Sequence, residues 1–120
     1  MPMAENGRKN FIKLTTAIYI LKILHQSGPS HGNKMAEEIR HRTNQVISPN
    51  PNSLYPTLHL MEERGYIEGA WDSPITRSKR IYSITDYGIS YLPEMEEKLK
   101  HRIKEIEIDI RIIREDLLTD

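Results

Sequence analysis

The stretch that decides the fold is Asn-Pro-Asn-Ser-Leu-Tyr-Pro-Thr-Leu-His-Leu-Met-Glu-Glu-Arg-Gly, residues 50–65. Asparagine is a favoured N-cap and proline is tolerated at the first helical position, so a helix is predicted to begin after Asn50 and run to Arg64. Gly65 predicts the end of this helix, because glycine readily adopts the left-handed conformation that follows many helices. Apolar residues spaced three or four apart predict the face that turns to the core: Leu54, Leu58 and Met61.

The opposite face of this predicted helix is polar. A rotation of about 100° per residue leaves Asn52, Ser53, Pro56 and His59 facing outward, with Tyr55 on the flank. Asparagine and histidine side chains can hydrogen-bond to base edges. Hydroxyl groups and the free N–H groups of a first helical turn suit phosphates.

Two further helices are predicted upstream. Apolar residues spaced three or four apart predict a helix over residues 10–26, which Ser27-Gly28-Pro29 ends. A shorter helix is predicted over residues 32–42, with Ser30 as its N-cap. Its inward-facing residues are predicted to be Met35, Ala36 and Ile39.

A β-hairpin is predicted downstream. Residues 66–71 and 79–84 are rich in β-branched and aromatic residues, and Asp72-Ser73-Pro74 between them is a turn signal. Three cations lie at or near the expected tip, namely Arg77, Lys79 and Arg80. This position favours phosphate neutralisation, or an arginine in a narrow minor groove.

Thr85 is predicted to cap a final helix over residues 86–118, which Pro93 is expected to kink. A heptad seam along this helix consists of Leu92, Leu99, Ile103, Ile106, Ile110, Ile113 and Leu117. Ile108 and Ile112 add a second apolar stripe. The rest of the chain is too small to cover both apolar stripes, so we expect the seam to form a dimer interface. The alternative is that the seam packs within one chain.

The predicted order is helix, helix, helix, strand, strand, long helix. This order predicts a mainly α fold with a two-stranded β wing, a winged helix-turn-helix. The DNA-binding domain is expected over residues 10–85, a C-terminal dimerisation helix over residues 86–120, and poor order over residues 1–9. In this arrangement the third helix fits the major groove while the wing reaches the adjoining backbone or minor groove.

Composition restricts the function further. The 120 residues carry no net charge, yet residues 1–85 sum to +4 and residues 86–120 to −4, which permits DNA binding without requiring it. The absence of cysteine excludes disulfides and thiolate zinc sites. There is no run of about 20 apolar residues and no secretory signal at the polar start, so we expect a cytoplasmic protein without a membrane segment.

Signals for catalysis are lacking. The histidines show no metal-ligand spacing, and the adjacent pairs Glu62-Glu63 and Glu96-Glu97 suit a solvated surface better than acid–base catalysis. No phosphate loop, nucleophile elbow or zinc signature occurs, so no enzyme activity, metal or cofactor is expected. Tyr66 is expected in the hairpin core. Trp71 has two interpretations, as hairpin core or as a contact for an apolar effector.

An ordered set of short motifs resembles the PadR-type transcriptional regulators over residues 17–70 and 79–88. The motifs are Gly28-Pro29, His31-Gly32, Leu54-Tyr55-Pro56, Leu58-His59, Glu62-Glu63-Arg64-Gly65, Lys79-Arg80-Ile81-Tyr82, Ile84-Thr85 and Gly88. The single-helix tail resembles the small-tailed branch of that family. The sequence departs from the family pattern at Asn33, Leu60, Asn50 and Asn52, which leaves the operator sequence open more than the fold.

The resemblance implies a homodimeric repressor whose C-terminal helix exchanges contacts between subunits. It implies DNA contacts around the Tyr-Pro pair, here at Asn52, Ser53 and Tyr55, and relief of repression by a small phenolic or hydrophobic effector. From the residues and the resemblance together, we expect DNA contacts from the third helix at Asn50, Asn52, Ser53, Tyr55 and His59. The operator is expected to be double-stranded and pseudo-palindromic.

A second hypothesis is a winged-helix module for protein–protein interaction that does not bind DNA. The neutral net charge and the acidic tail favour it. In that case the tail helix is the docking element. The sequence leaves open the effector, the controlled genes and activation in some contexts.

Overall fold

The structure, a computed structural model, describes residues 5–119, with side chains from residue 10 onward. Its elements are α1 (Glu5–Ser27), β1 (Ser30–His31), α2 (Gly32–Arg42), α3 (Pro51–Glu63), β2 (Ile67–Trp71), β3 (Arg80–Ile84) and α4 (Asp86–Leu118). The predicted fold class is confirmed. Helix α1 begins at Glu5 rather than Asn10 and includes residues 5–9 of the segment expected to be poorly ordered. Residues 1–4 lie outside the described residues.

The sheet contains one more strand than predicted. Strands β2 and β3 form the expected antiparallel hairpin, and β1 adds to the other edge of β3, where Ser30 pairs with Tyr82. The prediction that Ser30 caps α2 is therefore wrong, since the chain stays extended through this pairing. His31 is the N-cap instead, and its Nδ1 accepts a hydrogen bond from the Lys34 N–H at 3.3 Å.

The core lies around α1, which contacts α2, α3, α4 and β3. The residues predicted to face inward from α2 and α3 are all buried. The largest fully buried side chains are Ile20, Leu21, Ile23, Met35, Ile39, Leu54, Leu58 and Ile67. This burial fixes the rotation of α3 about its axis, so its polar face points outward.

The connection between α2 and α3 is held by its own hydrogen bonds. The Thr43 hydroxyl oxygen accepts from the Ile47 N–H at 3.1 Å, and an Arg40 Nη1–H donates to the Pro49 carbonyl at 2.9 Å. Asn44 and Gln45 between them have positive φ angles of 50° and 69°. These contacts fix α3 relative to α2.

Helix α4 is joined to the turn that follows α3, at a contact we call the α4 junction: Gly65, Tyr66, Thr85 and Gly88. The Thr85 N–H donates to the Tyr66 carbonyl at 3.1 Å, and the Thr85 hydroxyl oxygen, as predicted, caps α4 by accepting from the Gly88 N–H at 3.0 Å. The Tyr66 ring stacks on Tyr87 and Tyr91, with centroids 5.5 and 4.9 Å away. Burial, followed by the contacts with Tyr91, raises the pKa of Tyr66.

After this junction α4 first packs against α1 and then leaves the body, and the extents of the whole molecule are 66 × 26 × 23 Å. Leu92 is buried in the chain's own core and Leu99 packs against that core. Farther along the seam, Ile110, Ile113 and Leu117 are 50%, 58% and 70% exposed. Each helix within residues 5–119 is too short or too polar to span a lipid bilayer.

Candidate nucleic-acid interface

The outward face of α3 carries every side chain predicted for it. The exposed residues are Asn50, Asn52, Ser53, Tyr55 and His59. Pro56 lies between them inside the helix and is also exposed. Leu54, Leu58 and Met61 are buried on the other side of α3, so its exposed surface is mainly polar, and Leu60 is the large aliphatic residue on it, 46% exposed. The outer diameter of a helix suits a major groove.

Asn50 and Ser53 form a capping box at the start of α3. The Asn50 Oδ1 accepts from the Ser53 N–H at 3.1 Å, and the Ser53 hydroxyl oxygen accepts from the Asn50 N–H at 3.2 Å. Both side chains thus stabilise the first turn. Within residues 10–119 the Asn52 side chain makes no hydrogen bond, so its amide is available to a base or a phosphate.

Tyr55 lies on the side of α3 that faces the wing. Its hydroxyl donates to Asn33 Oδ1 at 3.5 Å. It also lines a cavity of about 410 Å³, whose other lining residues belong to α2, β1 and the wing: His31, Gly32, Asn33, Trp71, Ser78, Lys79, Arg80 and Tyr82. The structure therefore brings one flank of α3 and the basic hairpin to the same surface.

His59 is on the exposed side of α3, one helical turn before Glu63. Its Nε2 lies 3.3 Å from a Glu63 carboxylate oxygen, and both side chains are largely exposed. A pair this exposed exchanges readily with solvent and contributes little to stability. His59 is therefore accessible to a duplex.

The wing tip is organised by Asp72. Its carboxylate accepts from the Ser78 hydroxyl at 2.9 Å and from the Lys79 N–H at 3.2 Å, and its own N–H donates to the Lys79 carbonyl at 2.8 Å. Arg77 at the tip has a positive φ of 46°. Within the described residues the side chains of Arg77 and Lys79 have no acidic partner, so both cations are free for phosphate.

These hydrogen bonds, that from Ser78 first, lower the pKa of Asp72. The carboxylate therefore stabilises the tip above the ordinary aspartate pKa, and this contribution is lost as the pH falls through the lowered value. We expect Ser78→Ala to raise the pKa of Asp72 toward its ordinary value in an NMR titration of the side-chain carboxyl. Ser90→Ala, distant on α4, serves as the control. An unchanged pKa in Ser78→Ala would contradict this description of the tip.

Arg80 differs from the other two wing cations because an acidic residue of α3 binds it. Glu62 Oε1 and Oε2 accept from Arg80 Nε and Nη2 at 3.2 and 2.9 Å. These hydrogen bonds raise the pKa of Arg80. The expectation of a solvated surface at Glu62 is thus wrong. No sequence signal indicates the pair, since the two residues are 18 apart and meet only through the tertiary fold.

Trp71 is 47% exposed and lies outside the core, whereas Tyr66 is buried as expected. The Arg80 guanidinium carbon is 5.5 Å from the centroid of the Trp71 ring. Trp71 thus forms part of the cavity beside Tyr55 and is accessible to a ligand. Among the residues that the structure describes, no group of three potential metal ligands occurs.

Comparison with known proteins identifies a family. The model described as the transcriptional regulator PadR-like family matches residues 20–94. A putative transcriptional regulator from Thermoplasma acidophilum is 26% identical, with a TM-score of 0.70 over 85% of this chain and 96% of its own. A transcriptional regulator from Clostridium thermocellum is 24% identical, with a TM-score of 0.61 over 92% and 99%. Among curated proteins, none gives a significant match.

A third similar structure is a PadR-like transcription factor from Bacteroides fragilis. It is 19% identical, with a TM-score of 0.65 over 86% of this chain and 97% of its own. At this identity the likeness shows the fold alone. The chain spans nearly the whole length of all three structures.

Proposed function

Because this chain belongs to the PadR-like family of transcriptional regulators, we propose that it is a homodimeric repressor whose two α3 helices bind successive major grooves of a pseudo-palindromic operator. The observation that carries the proposal is the shared surface of α3 and the wing, where Tyr55 and Lys79 line one cavity. A regulator of this family acts by binding DNA rather than by catalysis, in agreement with the lack of catalytic motifs.

The proposed DNA contacts divide into two classes. Asn52 and His59 are side chains that can hydrogen-bond to base edges, and Tyr55 contacts a base edge or a phosphate from the flank. Asn50 and Ser53 hold the first turn of α3, where the Asn52 N–H is left to meet a phosphate because Pro51 has no N–H and Asn50 caps the Ser53 N–H. At the wing, Arg77 and Lys79 neutralise phosphates.

The proposed dimer forms through the seam on α4. Its outer residues, such as Ile110 and Leu117, expose apolar surface that a single chain leaves uncovered. Two such helices packed together would bury this surface. They would also place the recognition helices at half-sites about one turn of DNA apart.

The proposed effector is a small phenolic or hydrophobic molecule that lowers affinity for the operator. Trp71 and Tyr55 supply aromatic walls to the cavity beside the wing, which suits such a ligand. An effector bound near the dimer interface would instead act through the α4 junction, which connects α4 to the end of α3. In either case a few kcal/mol of differential affinity is enough to release the DNA.

A titration of the protein against DNA from upstream of its own gene, at several salt concentrations, tests the proposal. We expect affinity to fall steeply with salt, and Arg77→Ala with Lys79→Ala to reduce the log–log slope by about 1–2 because up to two phosphate contacts are lost. Lys100→Ala with Lys104→Ala removes two cations from α4 and is the control.

The possible outcomes separate the two functions. Affinity that is independent of salt, or equal slopes for the wing and control variants, would favour the protein-interaction module. Repeating the titration with 4-hydroxybenzoate tests the effector. Unchanged affinity at millimolar concentration would exclude this simple phenolic acid.

A further inference from the structure

The carboxylate of Glu62 connects the recognition helix to the wing. Glu62 lies in the last turn of α3, and Arg80 is the first residue of β3, so their two hydrogen bonds at 3.2 and 2.9 Å cross between these elements. The side chains of Arg80 and Glu62 are 33% and 26% exposed. A bidentate pair with this much shielding is held more firmly than an exposed ion pair.

The neighbouring residues are arranged around this pair. Trp71 is directly opposite Arg80 in the β2–β3 ladder, and its ring contacts the guanidinium group. Gly69 lies beneath: a Cβ at this position would be 2.6 Å from Arg80 Nε and 2.8 Å from Glu62 Oε1. Gly69 has no positive φ, so the pair depends on the space that glycine leaves.

We infer that Glu62 is a positioning residue for DNA binding, which sets the angle of the wing relative to α3 by holding Arg80. The inference rests on the proposed function. With the wing held in this way, Arg77 and Lys79 can reach the DNA backbone while α3 occupies the groove. Arg80 then acts within the protein, in place of the phosphate contact expected from the sequence.

The direction in which Glu62→Gln changes DNA affinity distinguishes two roles of Arg80, contact with DNA and attachment of the wing to Glu62. If Glu62 only restrains a cation that binds DNA, the substitution frees Arg80 and raises affinity. If Glu62 positions the wing, affinity falls by about three- to tenfold, a coupling typical of residues in one network. This fall is expected although the protein becomes more positive, which by itself favours DNA binding.

Glu68→Gln is the matched control. It removes the same charge from an exposed position on β2, and we expect affinity to be unchanged or slightly higher. A second comparison uses a background in which Arg77 and Lys79 are both alanine. There Glu62→Gln should change affinity less than twofold, because the wing cations through which it acts are already absent.

A measurement without DNA tests the wing directly. Trp71 is the only tryptophan, so quenching of its fluorescence by iodide reports its accessibility. We expect Glu62→Gln and Gly69→Ala to increase quenching and Glu68→Gln to leave it unchanged. Gly69→Ala is informative because it displaces the pair without changing any charge.

The results that overturn the inference are specific. Tighter DNA binding by Glu62→Gln, or unchanged Trp71 quenching in both Glu62→Gln and Gly69→Ala, rules out the positioning role. Wild-type protein that binds no DNA overturns the proposed function and with it this role in DNA binding. The quenching measurement still decides separately whether Glu62 holds the wing.

Discussion

Replacing Ile106 and Ile110 together by aspartate is expected to convert the protein to a monomer and to lower its affinity for a two-site operator by about 100-fold or more. Both residues lie on the seam of α4, where Ile110 is 50% exposed in the single chain. Packing two such helices would bury four unpaired carboxylates per dimer, which costs more than the interface supplies. Each recognition domain would then bind its half-site without help from the other. Sedimentation velocity measures the first effect and a DNA titration the second.

Ile108→Asp with Ile112→Asp is the matched control for this experiment. These residues have the same type and the same spacing on the same helix, but they lie on the side of α4 opposite the seam. We expect this variant to remain a dimer. A dimer that survives aspartate at Ile106 and Ile110, or that is lost only with the control variant, would remove the seam from the proposal.

Gly88→Ala is expected to lower the free energy of unfolding by about 2–3 kcal/mol, as overpacking in a tight contact typically does. A Cβ at residue 88 would lie 2.2 Å from the Tyr66 carbonyl oxygen and 3.0 Å from Ile84 Cγ1. The obstructing atom is backbone, which also accepts the Thr85 hydrogen bonds at the α4 junction. The first turn of α4 must therefore shift away from the body. Urea denaturation followed by circular dichroism measures the change.

Helix propensity alone predicts the opposite result, because alanine stabilises a helix by about 1 kcal/mol relative to glycine. A loss of stability in Gly88→Ala therefore reports the close contact. Ser90→Ala, two residues later and exposed, is the control in which only helix propensity and one local hydrogen bond change. It should be nearly neutral. If Gly88→Ala were as stable as the wild type, the close contact between α4 and Tyr66 would not exist in solution.

Local signals in the sequence predict most of the elements. Asn50 and Thr85 mark helix starts and Gly28 and Gly65 mark helix ends, because caps act over a few neighbouring residues. The three- and four-residue spacing of Leu54, Leu58 and Met61 was enough to predict the buried face of α3. The polar residues of the opposite face could therefore be predicted one by one. The capping box was readable in part, since the sequence predicted Asn50 as the cap of α3 but assigned Ser53 only to DNA.

The remaining features depend on contacts between distant parts of the chain. Strand β1 has two residues, which is too short for any periodicity, and it exists only because Ser30 meets Tyr82. The same pairing moved the cap of α2 to His31. The ion pair between Glu62 and Arg80 likewise requires knowing how far the wing folds back over α3. Only the tertiary structure supplies these distances.

The α4 junction has a geometric consequence for operator selection. Thr85, the N-cap of α4, is hydrogen-bonded to Tyr66, which follows the end of α3. The 33-residue helix α4 and the recognition helix α3 therefore rotate together. A helix of this length extends about 50 Å. A 5° change in the crossing angle between the two α4 helices of the proposed dimer therefore shifts each α3 by about 4 Å, roughly one base-pair step. In the proposed dimer, the crossing angle thus sets which spacer length between half-sites is accepted.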